Sequence, residues 1–227
     1  MSADRSRASR RTSAARVVGL VLAAGRSARM GGAHNKLVEA IGGRPLVAWP
    51  VDALEGAGVD AVVVVTGFEA ERVEAALAGR ACRFARHADW AEGMGSSLAF
   101  GVRAIAEAEE AVEAVLVCVG DLPGLRAAHV ASVLAAARDP SGRIAPERIA
   151  LPVFAGRTGH PVLFGAGWLA RLAALEGDEG ARALVREQAG RVVRVEQPDG
   201  AAAGDVDTPA ALEAARRGAW QEEGGAG

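Results

Sequence analysis

The sequence lacks the features that mark secreted, membrane-spanning and nucleic-acid-binding proteins. Its two cysteines, Cys82 and Cys118, belong to no Cys-X-X-Cys or Cys/His pattern, which favours two reduced thiols in the core over a disulfide or a metal site. No uninterrupted apolar stretch is long enough to cross a bilayer. The formal net charge of −2 provides no general basic surface for nucleic acid. These absences predict a cytoplasmic protein that binds neither nucleic acid nor membranes.

Half of the 227 residues are hydrophobic, which is enough for a sizeable core and predicts one domain over residues 16–218. Residues 1–15 are basic and rich in serine but lack the apolar segment of a signal peptide, so we expect a disordered tail there. Residues 219–227 are predicted to form a second disordered tail.

Short apolar runs alternate with segments of helical periodicity along most of the chain, as is typical of an α/β protein. Strands are predicted at residues 17–22, 61–66, 82–85, 115–119, 149–154, 161–164 and 191–195. Helices are predicted at residues 45–55, 69–78, 98–109, 167–175, 179–189 and 209–217, with another that ends near residue 138. The two neighbouring strands within 149–164 interrupt the alternation. We therefore expect a Rossmann-like three-layer sandwich with a mostly parallel, partly mixed sheet.

Residues 17–36, VVGLVLAAGRSARMGGAHNK, form a buried strand that ends abruptly in small and positively charged residues. The small side chains at 23–25 leave room for a ligand to lie against the backbone. Arg26, Arg29 and Lys36 bring positive charge to the same place. This combination predicts a loop that binds a polyphosphate.

Two common phosphate-binding motifs are absent from this loop. A Walker A motif is excluded because Gly25 and Gly31 are one residue too far apart and no Lys-Ser or Lys-Thr pair follows them. The GxGxxG pattern of dinucleotide-binding folds is missing as well. The loop must therefore bind its ligand in another way.

Acidic residues follow two of the predicted strands. Asp121 comes just after the apolar run 115–119, and Asp205 and Asp207 lie in GDVDTP before the last predicted helix. Ligands of open α/β sheets bind at the carboxyl ends of strands, but aspartate is also a common helix N-cap, and the residues alone leave both interpretations open. Carboxylates near a phosphate loop suggest a Mg²⁺ ion that shares its ligands with nucleotide oxygens.

The segment LAAGRSARMGGAHNK, residues 22–36, resembles the signature LAAGxSxRMGxxK of the nucleotidyltransferases that make sugar nucleotides and molybdenum cofactor dinucleotides. Its GGAHN lengthens the spacing from glycine to lysine. Residues 89–98, DWAEGMGSSL, and 156–164, GRTGHPVLF, are similar to motifs of the molybdenum cofactor cytidylyltransferase branch, the MobA/MocA type of NTP transferase domain. Together with GDEGARALV at 177–185, the resemblance covers about residues 17–217.

The resemblance implies a role for each matching segment. Nucleotide-binding residues would be Leu22, Ala23, Ala24, Gly25, Gly95, Ser96 and Ser97. Catalytic residues would be Arg29, Lys36 and Asp121, and Mg²⁺ would be held by Asp121 and Asp207. Arg157 and His160 would bind the acceptor, with Thr158 standing where many relatives carry a second basic residue. From the residues alone, Ser96 is equally a helix N-cap and His160 a turn residue.

The function that the resemblance implies is transfer of an NMP from an NTP to a phosphate of molybdopterin or a related small acceptor, with release of pyrophosphate. CTP is favoured because Ala24 matches the LAAG form of the cytidylyl enzymes, and a molybdoenzyme or its chaperone would be a partner. Two alternatives stay open. One is a nicotinamide-dependent oxidoreductase of the nicotine blue reductase type, which shares these motifs, and the other is a nucleotide-binding regulator without turnover.

Overall fold

The computed structural model of the chain describes residues 16–26, 35–109, 111–178 and 180–217. Its strands are β1 (Arg16–Ala23), β2 (Ala40–Ile41), β3 (Arg44–Pro45), β4 (Ala61–Thr66), β5 (Cys82–Arg86), β6 (Val112–Val119), β7 (Ile149–Phe154), β8 (Arg157–Thr158), β9 (Val162–Gly165) and β10 (Val192–Glu196). Its α-helices are α1 (Ala48–Gly56), α2 (Ala70–Ala76), α3 (Met94–Ala108), α4 (Ala127–Ala137), α5 (Leu169–Ala173), α6 (Arg182–Glu187) and α7 (Pro209–Arg216). The predicted tails, 1–15 and 219–227, lie outside the described residues.

Eight strands form one sheet in the order β10-β7-β9-β6-β1-β4-β5, with β8 paired to β7. The pairs β1–β4, β1–β6, β4–β5 and β7–β10 are parallel, whereas β9 runs antiparallel to both β6 and β7. The antiparallel strands come from the segment that interrupts the strand and helix alternation. The prediction of a mostly parallel, partly mixed sheet is therefore confirmed.

β1 lies inside the sheet, between β6 and β4, and its side chains alternate between two hydrophobic layers. Val17 and Val21 pack into the layer on one face, and Val18 and Leu20 into the layer on the other. Burial on both faces explains why the central strands are almost continuously apolar in sequence. The same burial holds the carboxyl end of β1 in a fixed position beside that of β6.

Helices cover both faces of the sheet, as the three-layer prediction requires. Residues of α1, α2 and α4 pack into the layer of Val17, and residues of α3, α5 and α6 into the layer of Leu20. A third, small cluster joins Ile41, Leu46 and Val206 to α7. No helix among the described residues is long and apolar enough to cross a membrane.

The start of α3 differs from the prediction, which placed Met94 and the three residues after it in a loop. The backbone N–H groups of Gly95 and Ser96 both donate to the carbonyl oxygen of Gly177, at 2.7 and 3.2 Å. These donors would otherwise lack partners in a first helical turn, so a carbonyl from a distant segment takes the place of a capping side chain. The N-cap is Gly93, and the interpretation of Ser96 as the N-cap is wrong.

Close packing between α3 and the sheet depends on Gly101. A Cβ atom on this glycine would lie 2.6 Å from Val65 Cγ2 and 2.7 Å from Leu20 Cδ1. We expect Gly101→Val to lower the free energy of unfolding by about 1–3 kcal/mol, because buried overpacking forces neighbours out of place. Urea denaturation measures this. Gly190→Val is the matched control, since a Cβ there meets nothing within 4 Å, and equal losses from both variants would contradict the prediction.

Candidate active site

A cavity of about 450 Å³ opens at the carboxyl ends of β1 and β6. Strand ends of this kind are where open α/β sheets bind ligands. The walls come from the turn after β1, the end of β6, the beginning of α3 with the 3₁₀ helix Trp90–Glu92 before it, and the segments that carry Lys36 and Asp207. The cavity therefore gathers residues from across the chain.

Seven of the predicted site residues line this cavity: Leu22, Ala24, Gly25, Lys36, Ser97, Asp121 and Asp207. Ala23 does not, because it faces the core and is 1% exposed. Arg29 lies outside the described residues. Arg26 also lines the cavity and is exposed. The small-residue turn and the charged residues thus face one space, as the loop pattern predicts.

Ser96 turns away from this cavity although Ser97 faces it. Its hydroxyl donates to Glu92 Oε2 at 2.9 Å and lies 2.9 Å from His87 Nε2. Its backbone N–H, like that of Gly95, is used by the Gly177 carbonyl. Contact of Gly95 and Ser96 with a nucleotide stays a prediction.

The most charged part of the cavity is a cluster around the Lys36 ammonium. Lys36 Nζ lies 2.6 Å from Asp121 Oδ2, and it donates to Asp207 Oδ1 at 2.9 Å and to the carbonyl oxygen of Val206 at 2.6 Å. Burial alone would lower the pKa of Lys36, but the two carboxylates outweigh it and raise that pKa above its ordinary value. The ammonium is therefore protonated at neutral pH.

The structure excludes the helix N-cap interpretation of Asp121 and Asp207. Helix α4 has Arg126 as its N-cap, and α7 has Thr208, whose side chain accepts from Ala211 N–H. Asp121 and Asp207 are therefore not the N-caps of these helices. Both carboxylates are directed at a cation instead.

The donor atoms of this cluster suit a hard divalent cation. Two carboxylate oxygens and the Val206 carbonyl already surround one positive charge, and Mg²⁺ prefers such oxygen ligands. Among the described residues, no group of three or more His, Cys, Asp or Glu side chains is arranged to hold a metal. A Mg²⁺ ion held by Asp121 and Asp207 would complete its ligands with nucleotide oxygens and water.

Arg157 and His160 contact the segment leading to Asp207. The Arg157 guanidinium donates to the Ala203 carbonyl at 3.1 Å, and the backbone N–H of His160 donates to the Ala202 carbonyl at 2.7 Å. Neither residue lines the cavity. Both donate hydrogen bonds to the 3₁₀ helix Gly200–Ala203. Their binding of an acceptor stays a prediction.

Several residues of the cavity wall were not singled out from the sequence. They include Trp90, Met94, Asp178 and the backbone around Gly120. Trp90 and Met94 lie inside the quoted DWAEGMGSSL motif, which was the available signal. Asp178 lies inside the GDEGARALV segment, which was a further signal. Val206 acts through its backbone carbonyl, which no side-chain pattern reveals.

The fold is that of a nucleotidyltransferase-type domain. The chain belongs to the family of MobA-like NTP transferase domains, whose sequence model matches residues 19–192. Two solved structures share its fold over 89% of the chain. A nucleotidyl transferase from Methanothermobacter thermautotroptrophicus has a TM-score of 0.71 at 25% identity, with 97% of that chain covered. The Mycobacterium tuberculosis protein Rv0371c has a TM-score of 0.75 at 26% identity, with 98% covered.

Curated relatives carry names with different activities. Nicotine blue oxidoreductase of Paenarthrobacter nicotinovorans is 31% identical over 200 residues, which is 85% of this chain and 92% of the relative. Purine catabolism protein PucB of Bacillus subtilis is 30% identical over 210 residues, 88% and 96% respectively. The bifunctional protein GlmU of Pelobacter propionicus is 32% identical over 187 residues, 81% of this chain. The chain spans 34% of that GlmU.

The buried His129 and the half-buried His160, both near the 3₁₀ helix Gly200–Ala203, make stability depend on pH. Burial lowers the pKa of His160 and of His129 below the ordinary value of 6.5, so the folded state binds fewer protons than the unfolded state. Stability is then complete above pH 6.5 and is lost as the pH falls toward the folded pKa values. We expect His160→Asn to flatten the slope of unfolding free energy between pH 7 and 5, by up to about 1.4 kcal/mol per pH unit. Urea denaturation across this range tests it, and an unchanged slope would contradict it.

Proposed function

We propose that the chain transfers CMP from CTP to a phosphate of molybdopterin or a related small phosphorylated acceptor and releases pyrophosphate. The observation that carries this proposal is the cavity that joins a small-residue turn to the Lys36, Asp121 and Asp207 cluster. A triphosphate needs fixed hydrogen-bond donors and cations. Carboxylates near a triphosphate serve to hold a metal that the phosphates share. This site offers a cation, Lys36, and two carboxylates, Asp121 and Asp207.

The turn after β1 would receive the nucleotide. Ala24 and Gly25 line the cavity, and a Cβ atom on Gly25 would meet nothing within 4 Å. Lys36, with Arg29 from the same loop, would neutralise the triphosphate, and the Ser97 hydroxyl at the beginning of α3 would donate to it. Asp121 and Asp207 would hold Mg²⁺, which supplies charge neutralisation to the triphosphate when bound.

The reaction needs no nucleophile from the protein. An oxygen of the acceptor phosphate would attack the α-phosphorus, and the bond between that phosphorus and the oxygen leading to the β-phosphorus would break. The electron pair of this bond leaves with pyrophosphate. The protein's contribution is to align the two phosphates and to balance their negative charge.

Base and acceptor are proposed from the motifs. Ala24 in LAAG favours cytosine, and GRTGHPVLF favours a molybdenum cofactor precursor, with Arg157 and His160 as its contacts. A molybdoenzyme or its chaperone would then receive the product. Thr158, in the same motif, adds no cation for the acceptor phosphate.

A second candidate is a nicotinamide-dependent oxidoreductase. It is favoured by one observation, the 31% identity to nicotine blue oxidoreductase over 92% of that protein. The absence of GxGxxG argues against the usual dinucleotide-binding mode. Consumption of NADPH in the presence of the nicotine-derived blue pigment distinguishes it from nucleotidyl transfer.

We expect the protein to release pyrophosphate from CTP with Mg²⁺ and molybdopterin, and Asp121→Asn to slow that release by at least about 100-fold, because the metal loses a charged ligand. A pyrophosphate assay on wild type and variant measures this. Asp139→Asn is the control, since Asp139 is exposed and bonds within its own turn, to Ser141.

A thermal-shift panel of nucleotides separates the alternatives, because a ligand that binds only the folded state raises the melting temperature. A shift with CTP but no pyrophosphate from any NTP would indicate the regulator. No shift with any NTP, together with NADPH consumption, would replace the proposal with the oxidoreductase.

A further inference from the structure

Lys36 is the only lysine of the chain, and every donor of its ammonium is used inside the protein. Three oxygen atoms surround Nζ, from Asp121 at 2.6 Å, Asp207 at 2.9 Å and the Val206 carbonyl at 2.6 Å. An ammonium has three N–H donors. In this arrangement none is left for a phosphate oxygen.

The proposed function therefore assigns roles that this arrangement cannot fulfil at once. Lys36 would neutralise a triphosphate, but its three N–H donors are used by two carboxylates and the Val206 carbonyl. Asp121 and Asp207 are to hold Mg²⁺, but the ammonium fills the space between them. A divalent cation held by both carboxylates would need the space that the ammonium fills, so the two cations exclude each other there.

We propose that Lys36 is the internal counter-ion of the metal site, and that a divalent cation displaces its ammonium from between Asp121 and Asp207 toward the triphosphate. Binding of the metal and release of the lysine are then one exchange. The nucleotide part of this inference rests on the proposed function, whereas the exchange itself requires only the metal.

The geometry permits the exchange because the three partners are held independently of the ammonium. The backbone N–H of Val206 donates to the Asp121 carbonyl at 3.1 Å, which ties the two acidic segments together. The side chain of Val206 packs in the cluster with α7. The backbone segments that carry both carboxylates are therefore held without help from the lysine.

The backbone of Lys36 is also fixed, so that only its side chain needs to move. The Asn35 side chain accepts from Leu37 N–H at 3.1 Å and donates to the Phe68 carbonyl at 3.2 Å. Leu37 is buried. The flexible four-carbon stem of Lys36 can then carry its charge between two positions in the same cavity.

The exchange makes a prediction opposite in sign to that of an ordinary ligand-binding residue. Lys36→Met removes the competing cation, so we expect its affinity for Mg²⁺ alone to rise about tenfold, as for two ligands that exclude each other. Its affinity for CTP with Mg²⁺ should fall. Isothermal titration with Mg²⁺ in the absence of nucleotide measures the first effect.

Arg44→Met is the matched control for Lys36→Met. Arg44 is a cation that pairs with a single aspartate, Asp52, at 2.9 Å and is 37% exposed in its side chain. Its loss should leave Mg²⁺ affinity unchanged. Weaker Mg²⁺ binding by Lys36→Met than by wild type would overturn the proposal.

A measurement on the unaltered protein covers the case in which Lys36→Met does not fold. Protein labelled with [¹⁵N]lysine has a single lysine side chain to observe by NMR. We expect Mg²⁺ alone to shift or broaden the ammonium signal of Lys36, and NaCl at equal ionic strength to leave it in place. An unchanged signal at a Mg²⁺ concentration that saturates binding would overturn the exchange. Failure of CTP to bind, with the Mg²⁺ effect intact, would overturn only the proposed function.

Discussion

The ion cluster in which buried Lys36 and Asp121 meet the partly exposed Asp207 is the constraint on which the rest of this structure depends. A buried charge is tolerated only when oppositely charged partners are brought to it. Here the partners come from the end of β6 and from the segment before α7, while the lysine follows the loop after β1. The parallel pairing of β1 with β6 places two of these segments side by side. The small apolar cluster of Ile41, Leu46 and α7 brings the third.

Residues outside the cavity hold the segment before Asp207 in place. Asp199 pairs with Arg126 and His129 of the α4 region, and it accepts from Ala201 N–H at 3.0 Å. Ala202 accepts from the backbone of His160. The GRTGHPVLF motif thus helps to hold the segment before Asp207 in place.

Membership of the MobA-like family establishes a nucleotidyltransferase-type domain, but relatives in sequence bear the names of an oxidoreductase, a purine catabolism protein and a bifunctional protein. The fold by itself does not choose among such activities. What argues for chemistry at a triphosphate is the site, because it combines an open turn at Gly25 with a cation and two carboxylates.

The sequence by itself determined the central strands, because burial on both sheet faces demands continuous β-branched runs. The predicted strands at 61–66 and 149–154 coincide with β4 and β7. Only the tertiary structure decided the beginning of α3, since the acceptor for its first N–H groups is the carbonyl of Gly177. It alone also showed that Asp121 and Asp207 share Lys36 rather than cap helices, because capping and ion pairing follow the same local pattern and differ only in which distant atoms lie within reach.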